Sequence, residues 1–408
     1  MAFTGPAHAT ESVIYNFPST GSPAGVIVDK SGNLYGTTPG PGGSVFSLTP
    51  PAVAGDPWGV TIIHEFPSSG SDDGSNPVAS LLAGRGALFG TTQDGGASNL
   101  GTVFEVTPPA TAGGSWGESV LYSFTGGSDG SQPVASLIAD SSGILYGTAQ
   151  LGGASGLGTV FSLKPPSSAG PWTESVLHSF TGGSDGSQPV AGLVADRSGT
   201  LYGTTQFGGA SNSGTVFALT PPPISGGAWS ESVLYAFTGI NDGGEPLAGL
   251  LLAPNGALYG TTLEGGQRFQ AFCSSNKGCG VVFKLTPPTT PGGLWTESVL
   301  HRFLGEDVGS SDGSSPAGSL LAGPAGTLYG TTLSGGGSSF GEGTVFKLTP
   351  PTTPGGLWTV SVKHAFFNNT GDGVLPASGL VFSNHELFGT TESGGESGLQ
   401  GTVFEVTP

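Results

Sequence analysis

Seven copies of one residue pattern, four strand-like segments in each copy, and chain ends cut out of phase with the copies together predict an all-β fold: a seven-bladed β-propeller of four-stranded blades. The copies are marked by a phenylalanine at Phe17, Phe66, Phe124, Phe180, Phe237, Phe303 and Phe366. A period of roughly 40 to 60 residues with four strands is that of a propeller blade, whereas β-helix coils repeat far more often. The chain opens on an outer-type strand, residues 11–17, and stops on a third-type strand, residues 401–406. A linear array would cap both edges, but a ring lets the first strand complete the last blade and removes two open edges at once. The expected organisation is a tail at 1–10 and one seven-bladed propeller over 11–408, closed by the N-terminal strand.

Within the third copy the segments follow in order. Strand A is Val134–Ala139, closed by the turn Asp140-Ser-Ser-Gly143. Strand B is Ile144–Thr148, strand C is Thr159–Leu163 and strand D is Glu174–Phe180. Each is rich in β-branched and aromatic residues and bounded by glycine, proline or aspartate. No run of ten residues carries a helical period of apolar positions. The 76 glycines recur at turns and do not signal disorder.

The charge balance narrows the function classes. There are 28 acidic against 10 basic residues, a formal net charge of −18, and no cluster of Lys and Arg. Recognition of nucleic acid needs several cations at the phosphates, so it is excluded. No apolar run is long enough to span a membrane, and residues 1–10 lack the basic and apolar regions of a signal peptide. Cys273 and Cys279 have five residues between them in the long insertion of the fifth copy. Two thiols alone cannot complete a structural zinc site, so a loop-local disulfide in an oxidising compartment is expected, with an export signal outside the sequence given.

Leu-Tyr-Gly-Thr-Thr at residues 201–205, Gly-Thr-Val-Phe at 214–217 with Pro221-Pro222 after it, and Glu-Ser-Val-Leu at 174–177 resemble the Gloeo-Verruco (GloVer) tandem repeats of exported bacterial proteins. The resemblance covers residues 11–408. It implies secretion and repeat architecture, and brings no catalytic residues with it.

A residue that recurs in every blade usually serves the blade. All six tryptophans precede strand D, and one position of strand D holds Tyr15, His64, Tyr122, His178, Tyr235, His301 and His364. Four of the six histidines are thereby assigned to packing with one polar tip satisfied. Three Gly-x-Ser-x-Gly matches, such as Gly182–Gly186, lack the helix a nucleophile elbow requires. Gly152–Gly158 resembles a phosphate loop only in composition.

The element Asp-Gly-x-x-Pro, with Asp73, Asp129, Asp185, Asp242, Asp312 and Asp372, has two readings. Each aspartate caps a turn through its own backbone, with no cofactor implied. Alternatively the carboxylates converge on the channel and attract Ca2+, with Asp129, Asp185 and Asp242 as candidate ligands. Subtracting all repeated residues leaves an asymmetric set on the loops between strands B and C: Phe207, Arg268, Phe269, Phe272 and Phe340, with Asp94, Glu264 and Glu392 on the same face. Exposed rings beside an arginine suit a ligand contact, whereas packing of the long loop onto its neighbours is the plainer account. The expected function is a secreted, non-catalytic binding propeller for a glycan or extracellular protein. The alternative is a lyase or glycoside hydrolase on extracellular polysaccharide with acidic residues near the channel mouth.

Overall fold

The structure, a computed structural model, describes residues 11–17, 22–53, 55–68, 72–111, 113–168, 170–224, 226–266, 273, 277–290, 292–305, 312–336, 341–353, 355–367, 371–395 and 401–408. Seven four-stranded antiparallel sheets form a ring, and among the described residues the one helical element is the 3-10 turn Pro324–Gly326. The sheet of the third copy runs Ile138–Ala139, Leu145–Ala149, Thr159–Lys164 and Thr173–Ser179 from the inside outward. Closure is as the chain ends predict. Glu11–Asn16 pairs antiparallel with Thr402–Val406, Glu11 opposite Val406 and Asn16 opposite Thr402.

Strand A is shorter than the sequence suggests. Of the expected Val134–Ala139, only Ile138 and Ala139 pair with strand B. The segment starts at Pro133, which has no N–H to donate to a ladder. Its Ala135 carbonyl is also taken by the preceding blade, accepting a hydrogen bond from the Thr91 hydroxyl at 3.1 Å. That bond recurs from Thr37, Thr148, Thr204, Thr261 and Thr331 to carbonyls of the next blade, at 2.9 to 3.4 Å. In six of the seven blades the threonine after the strand B glycine is therefore an inter-blade staple, while Thr390 of the last blade meets Ser378 of its own blade instead. The threonine that follows fastens its own blade: Thr205 meets Thr215 at 2.8 Å and Thr92 meets Thr102 at 2.8 Å.

The core lies between blades. Phe180, which follows strand D, meets Phe217 on strand C of the next blade edge to face, 5.2 Å between centroids. The same pair closes every interface: Phe17–Phe46, Phe66–Phe104, Phe124–Phe161, Phe237–Phe283, Phe303–Phe346 and Phe366–Phe404. Space for the strand C ring comes from the glycine of Leu-Tyr-Gly. A Cβ on Gly147 would stand 2.7 Å from the Phe161 ring, and one on Gly203 2.5 Å from Phe217. Strand D carries one extra residue, Leu177 in the third copy's sheet, since Val176 pairs with Phe161 and His178 with Val160. Such a bulge strengthens the twist of the outer strand.

Ring closure assigns Phe17 the same energetic part as its internal counterparts. Phe17→Ala should cost about 3–5 kcal/mol, as Phe180→Ala should, while Phe382→Ala on the exposed surface should stay within about 0.5 kcal/mol. Denaturant unfolding of the three variants checks this. A Phe17 cost no larger than that of Phe382 would mean the first strand does not hold the ring.

Candidate functional site

The connection from strand D to the next strand A contains a backbone feature that the sequence does not announce. The residue before its proline has positive φ in six successive connections: Asn76, Gln132, Gln188, Glu245, Ser315 and Leu375, at 53 to 60°. Non-glycine residues adopt this region at a cost, and such outliers concentrate at functional sites. Two backbone hydrogen bonds hold five of them in place, and Asn76 accepts one, from the Gln93 N–H. The Gln132 N–H donates to Leu100 O of the preceding blade, and its carbonyl accepts from Gln150 N–H of its own. The same double bond recurs at Gln188, Glu245, Ser315 and Leu375.

These residues meet those that follow strand B through the backbone, and the two sets share one face of the ring. One side is an arc of amides. Asn76 Nδ2 donates to Gln93 Oε1 at 2.7 Å, and Gln150 Nε2 stands 3.5 Å from Gln188 Oε1 across a blade boundary. Gln206 Nε2 lies 3.5 Å from Glu245 Oε2. The other side is leucines and acids. Leu263, Leu333 and Leu375 line a cavity of about 390 Å3 with Glu264 and Glu392. The Lys277 ammonium bridges Glu264 at 2.8 Å and Glu245 at 3.0 Å. Desolvation by the surrounding loops raises the Glu392 carboxyl above its ordinary range.

Phe207 borders the amide arc. It is half-buried, follows Gln206 directly, and bridges Ser187, the neighbour of Gln188. Arg268, Phe269, Phe272 and Phe340 lie outside the described residues. Cys273 and Cys279 are joined in a disulfide, and Cys279 is buried against Phe303, Leu328 and Phe346 of the blade interface.

The aspartates of Asp-Gly-x-x-Pro are bound at the outer strand rather than converging on the channel. Tyr122 and Tyr235 hydroxyls donate to Asp129 at 3.0 Å and Asp242 at 2.8 Å, and His178 Nε2 lies 3.4 Å from Asp185. Asp129 also accepts from the Thr125 N–H and hydroxyl, both at 2.8 Å. The three named as Ca2+ candidates thus occupy separate crevices. Among the described residues no group of three closely placed metal donors contains any of them. The strand D histidines each set an edge on the following phenylalanine, as His178 does on Phe180 at 4.7 Å.

Sequence reading did not single out the strand D glutamates, although Glu-Ser-Val-Leu recurs. Each stands in an inter-blade crevice facing the aspartate of the preceding blade. Burial first, then the charges of Asp129, Asp185 and Asp242, push Glu174, Glu231 and Glu297 up to about 7. Their Oε1 atoms are buried without a hydrogen-bond partner.

Residues 22–273 and 269–408 match the pattern described as the Gloeobacter/Verrucomicrobia repeat. No curated protein matches the chain. Among solved structures, virginiamycin B lyase from Staphylococcus aureus is similar at 13% identity and a TM-score of 0.53, over 98% of each chain. An extracellular domain described as that of a hybrid two-component system from B. thetaiotaomicron is similar at 9% identity and a TM-score of 0.55, over 98% of this chain and 40% of that one. Identities this low carry the fold alone. The disulfide and the repeat family are consistent with an extracellular or periplasmic protein, and among the described residues no helix is long and apolar enough to cross a membrane.

The crevice glutamates give the ring a pH dependence. The ordinary value is 4.5 and the folded value about 7, so the folded chain holds these protons more tightly than the unfolded one. Their contribution to stability is complete below about pH 4.5 and is lost as pH rises through 7. Asp129, Tyr122, Asp185, His178, Asp242, Tyr235 and, opposing, Arg302 are the charged or titratable groups around them. Melting temperature should fall between pH 5 and 7, and a triple Glu174→Gln, Glu231→Gln, Glu297→Gln variant should flatten that slope. An unchanged slope would remove these residues as its cause.

Proposed function

Because the chain belongs to the Gloeobacter/Verrucomicrobia repeat family and its ring carries an arc of amides, we propose that it is a secreted, non-catalytic binding propeller whose ligand is a neutral glycan. The observation that carries this reading is the amide arc. Asn and Gln side chains offer donors and acceptors together, as a sugar's hydroxyls require, and they bring no charge to desolvate. Left-handed backbone at Gln132 and Gln188 positions two of them, with strain offset by bonds to both adjacent blades. Phe207 beside the arc supplies an apolar face on which a sugar ring can stack. The net charge of −18 disfavours acidic polysaccharides.

A screen of neutral oligosaccharides should identify a ligand. Gln150→Ala with Gln206→Ala, at positions of ordinary backbone, should then weaken binding at least tenfold, about 1.4 kcal/mol, with little change in melting temperature. Unchanged affinity in that double variant, or no neutral glycan bound at all, would overturn the reading.

One observation favours a second reading, an enzyme on extracellular polysaccharide. Glu392, raised by desolvation, and Glu264, bridged to Lys277, line the same cavity. Two carboxyl groups in unlike surroundings are what general acid and base chemistry uses. On this reading the wild type releases reducing ends or unsaturated products and Glu392→Gln loses at least 100-fold in rate, within the range usual for a general acid or base. Turnover unaffected by that substitution would rule out Glu392 as the acid.

A further inference from the structure

Three of the inter-blade crevices hold an imidazole beside two carboxyl groups, and in two of them all three donors lie close together. In one, His64 of the first sheet, Asp73 of the following connection and Glu118 of the next strand D bring their donor atoms within 4.8 Å of one another. In the other, His364, Asp372 and Glu11 do the same. His64 Nε2 is 3.1 Å from Asp73 Oδ2, and His364 Nε2 is 3.2 Å from Asp372 Oδ2. Tetrahedral ligands about 2.1 Å from a zinc ion stand roughly 3.4 Å apart, so each His–Asp pair is already near that spacing and the glutamate, within 4.8 Å, has to close on it. Phe66 and Phe366 fix the two imidazoles edge-on at 4.7 and 4.6 Å.

The acceptors point the same way. Glu118 Oε1, Glu11 Oε1 and Asp372 Oδ1 are buried atoms with no hydrogen-bond partner. The side chains of His64, Asp73, His364 and Asp372 retain 15 to 21% exposure, so an ion can enter from solvent. The other crevices are internal controls. Tyr122 and Tyr235 replace the imidazole with a phenol whose proton is already committed to Asp129 and Asp242. His301 pairs with Asp312 at 2.8 Å, but strand D of the next blade has Val360 where the glutamate would stand. His178, Asp185 and Glu231 do not come within 4.8 Å of one another as a set.

We propose that His64–Asp73–Glu118 and Glu11–His364–Asp372 are two sites for a divalent transition cation of the zinc class, the second clamping the closing N-terminal strand to the neighbouring blade. One imidazole and two carboxylates suit Zn2+ or Mn2+, whereas Ca2+ prefers six or more oxygens. Each site has ligands on two adjacent blades, so binding favours the assembled ring over the open chain.

The test is calorimetric titration of Zn2+ into the full, tag-free, metal-stripped chain, with melting temperature as a second readout. Two equivalents should bind at micromolar or tighter affinity and raise the melting temperature, and a tenfold excess of Ca2+ should not compete. His64→Tyr and His364→Tyr use a residue that the same repeat position already holds elsewhere, so the fold is kept. Each should remove one equivalent and the double variant both, while His301→Tyr should remove none. His364→Tyr should abolish the larger part of the thermal gain. No uptake by the wild type, or two equivalents retained by the double variant, overturns the proposal. A single equivalent overturns whichever site its own variant leaves unchanged.

Discussion

Everything in this ring leans on one contact repeated at every blade boundary, the edge-to-face meeting of a phenylalanine after strand D with one on strand C of the next blade. An isolated four-stranded sheet has two faces and no interior, so its apolar side chains can be buried only against another sheet. Burying one such ring is worth about 1.5–3 kcal/mol and the aromatic geometry adds about 0.5–1.5 kcal/mol. Seven interfaces need seven partners, and the seventh exists only if the first strand returns to the last sheet. The Phe17–Phe46 pair is therefore as much a matter of chain closure as of packing.

The repeat motif follows from this contact. Strand B has glycine where a Cβ would strike the strand C ring, and threonines where hydroxyls can reach across to the next blade. Positions so occupied have no chemistry left to offer a ligand. Much of the variation falls in the connections between strands D and A and between strands B and C. There, in five connections, two backbone hydrogen bonds hold a left-handed residue whose side chain the fold does not require. This is why amides occupy one side of this face of the ring and leucines the other, although the backbone beneath them repeats.

The outer crevices show the opposite economy. A Tyr or His on strand D, an aspartate after it and a glutamate from the next blade are brought close by the same rotation that makes the phenylalanines meet. Burial then raises the glutamates to about 7, where protonation removes the repulsion from the aspartate. Crevices without histidine, at Glu174 and Glu297, hold a tyrosine hydroxyl that donates to the aspartate instead.

Legible in the sequence were the things that periodicity records: seven units, four strands in each, the closing strand at residues 11–17, the packing part of the strand D histidines, and the Cys273–Cys279 bond. Each repeats, or follows from two residues close in the chain. The short strand A was not legible, because the competitor for the Ala135 carbonyl is Thr91, 44 residues earlier. Nor were the left-handed Gln132 and Gln188, since residues before proline ordinarily avoid that region and only bonds to two separate blades hold them there. Asp129, Asp185 and Asp242 read first as turn caps, with a channel ring as the alternative. What separates the two is the distance from each carboxylate to the outer strand. Contacts between segments some 50 residues apart are set by how one sheet rotates against the next, and no local pattern of residue types encodes that rotation.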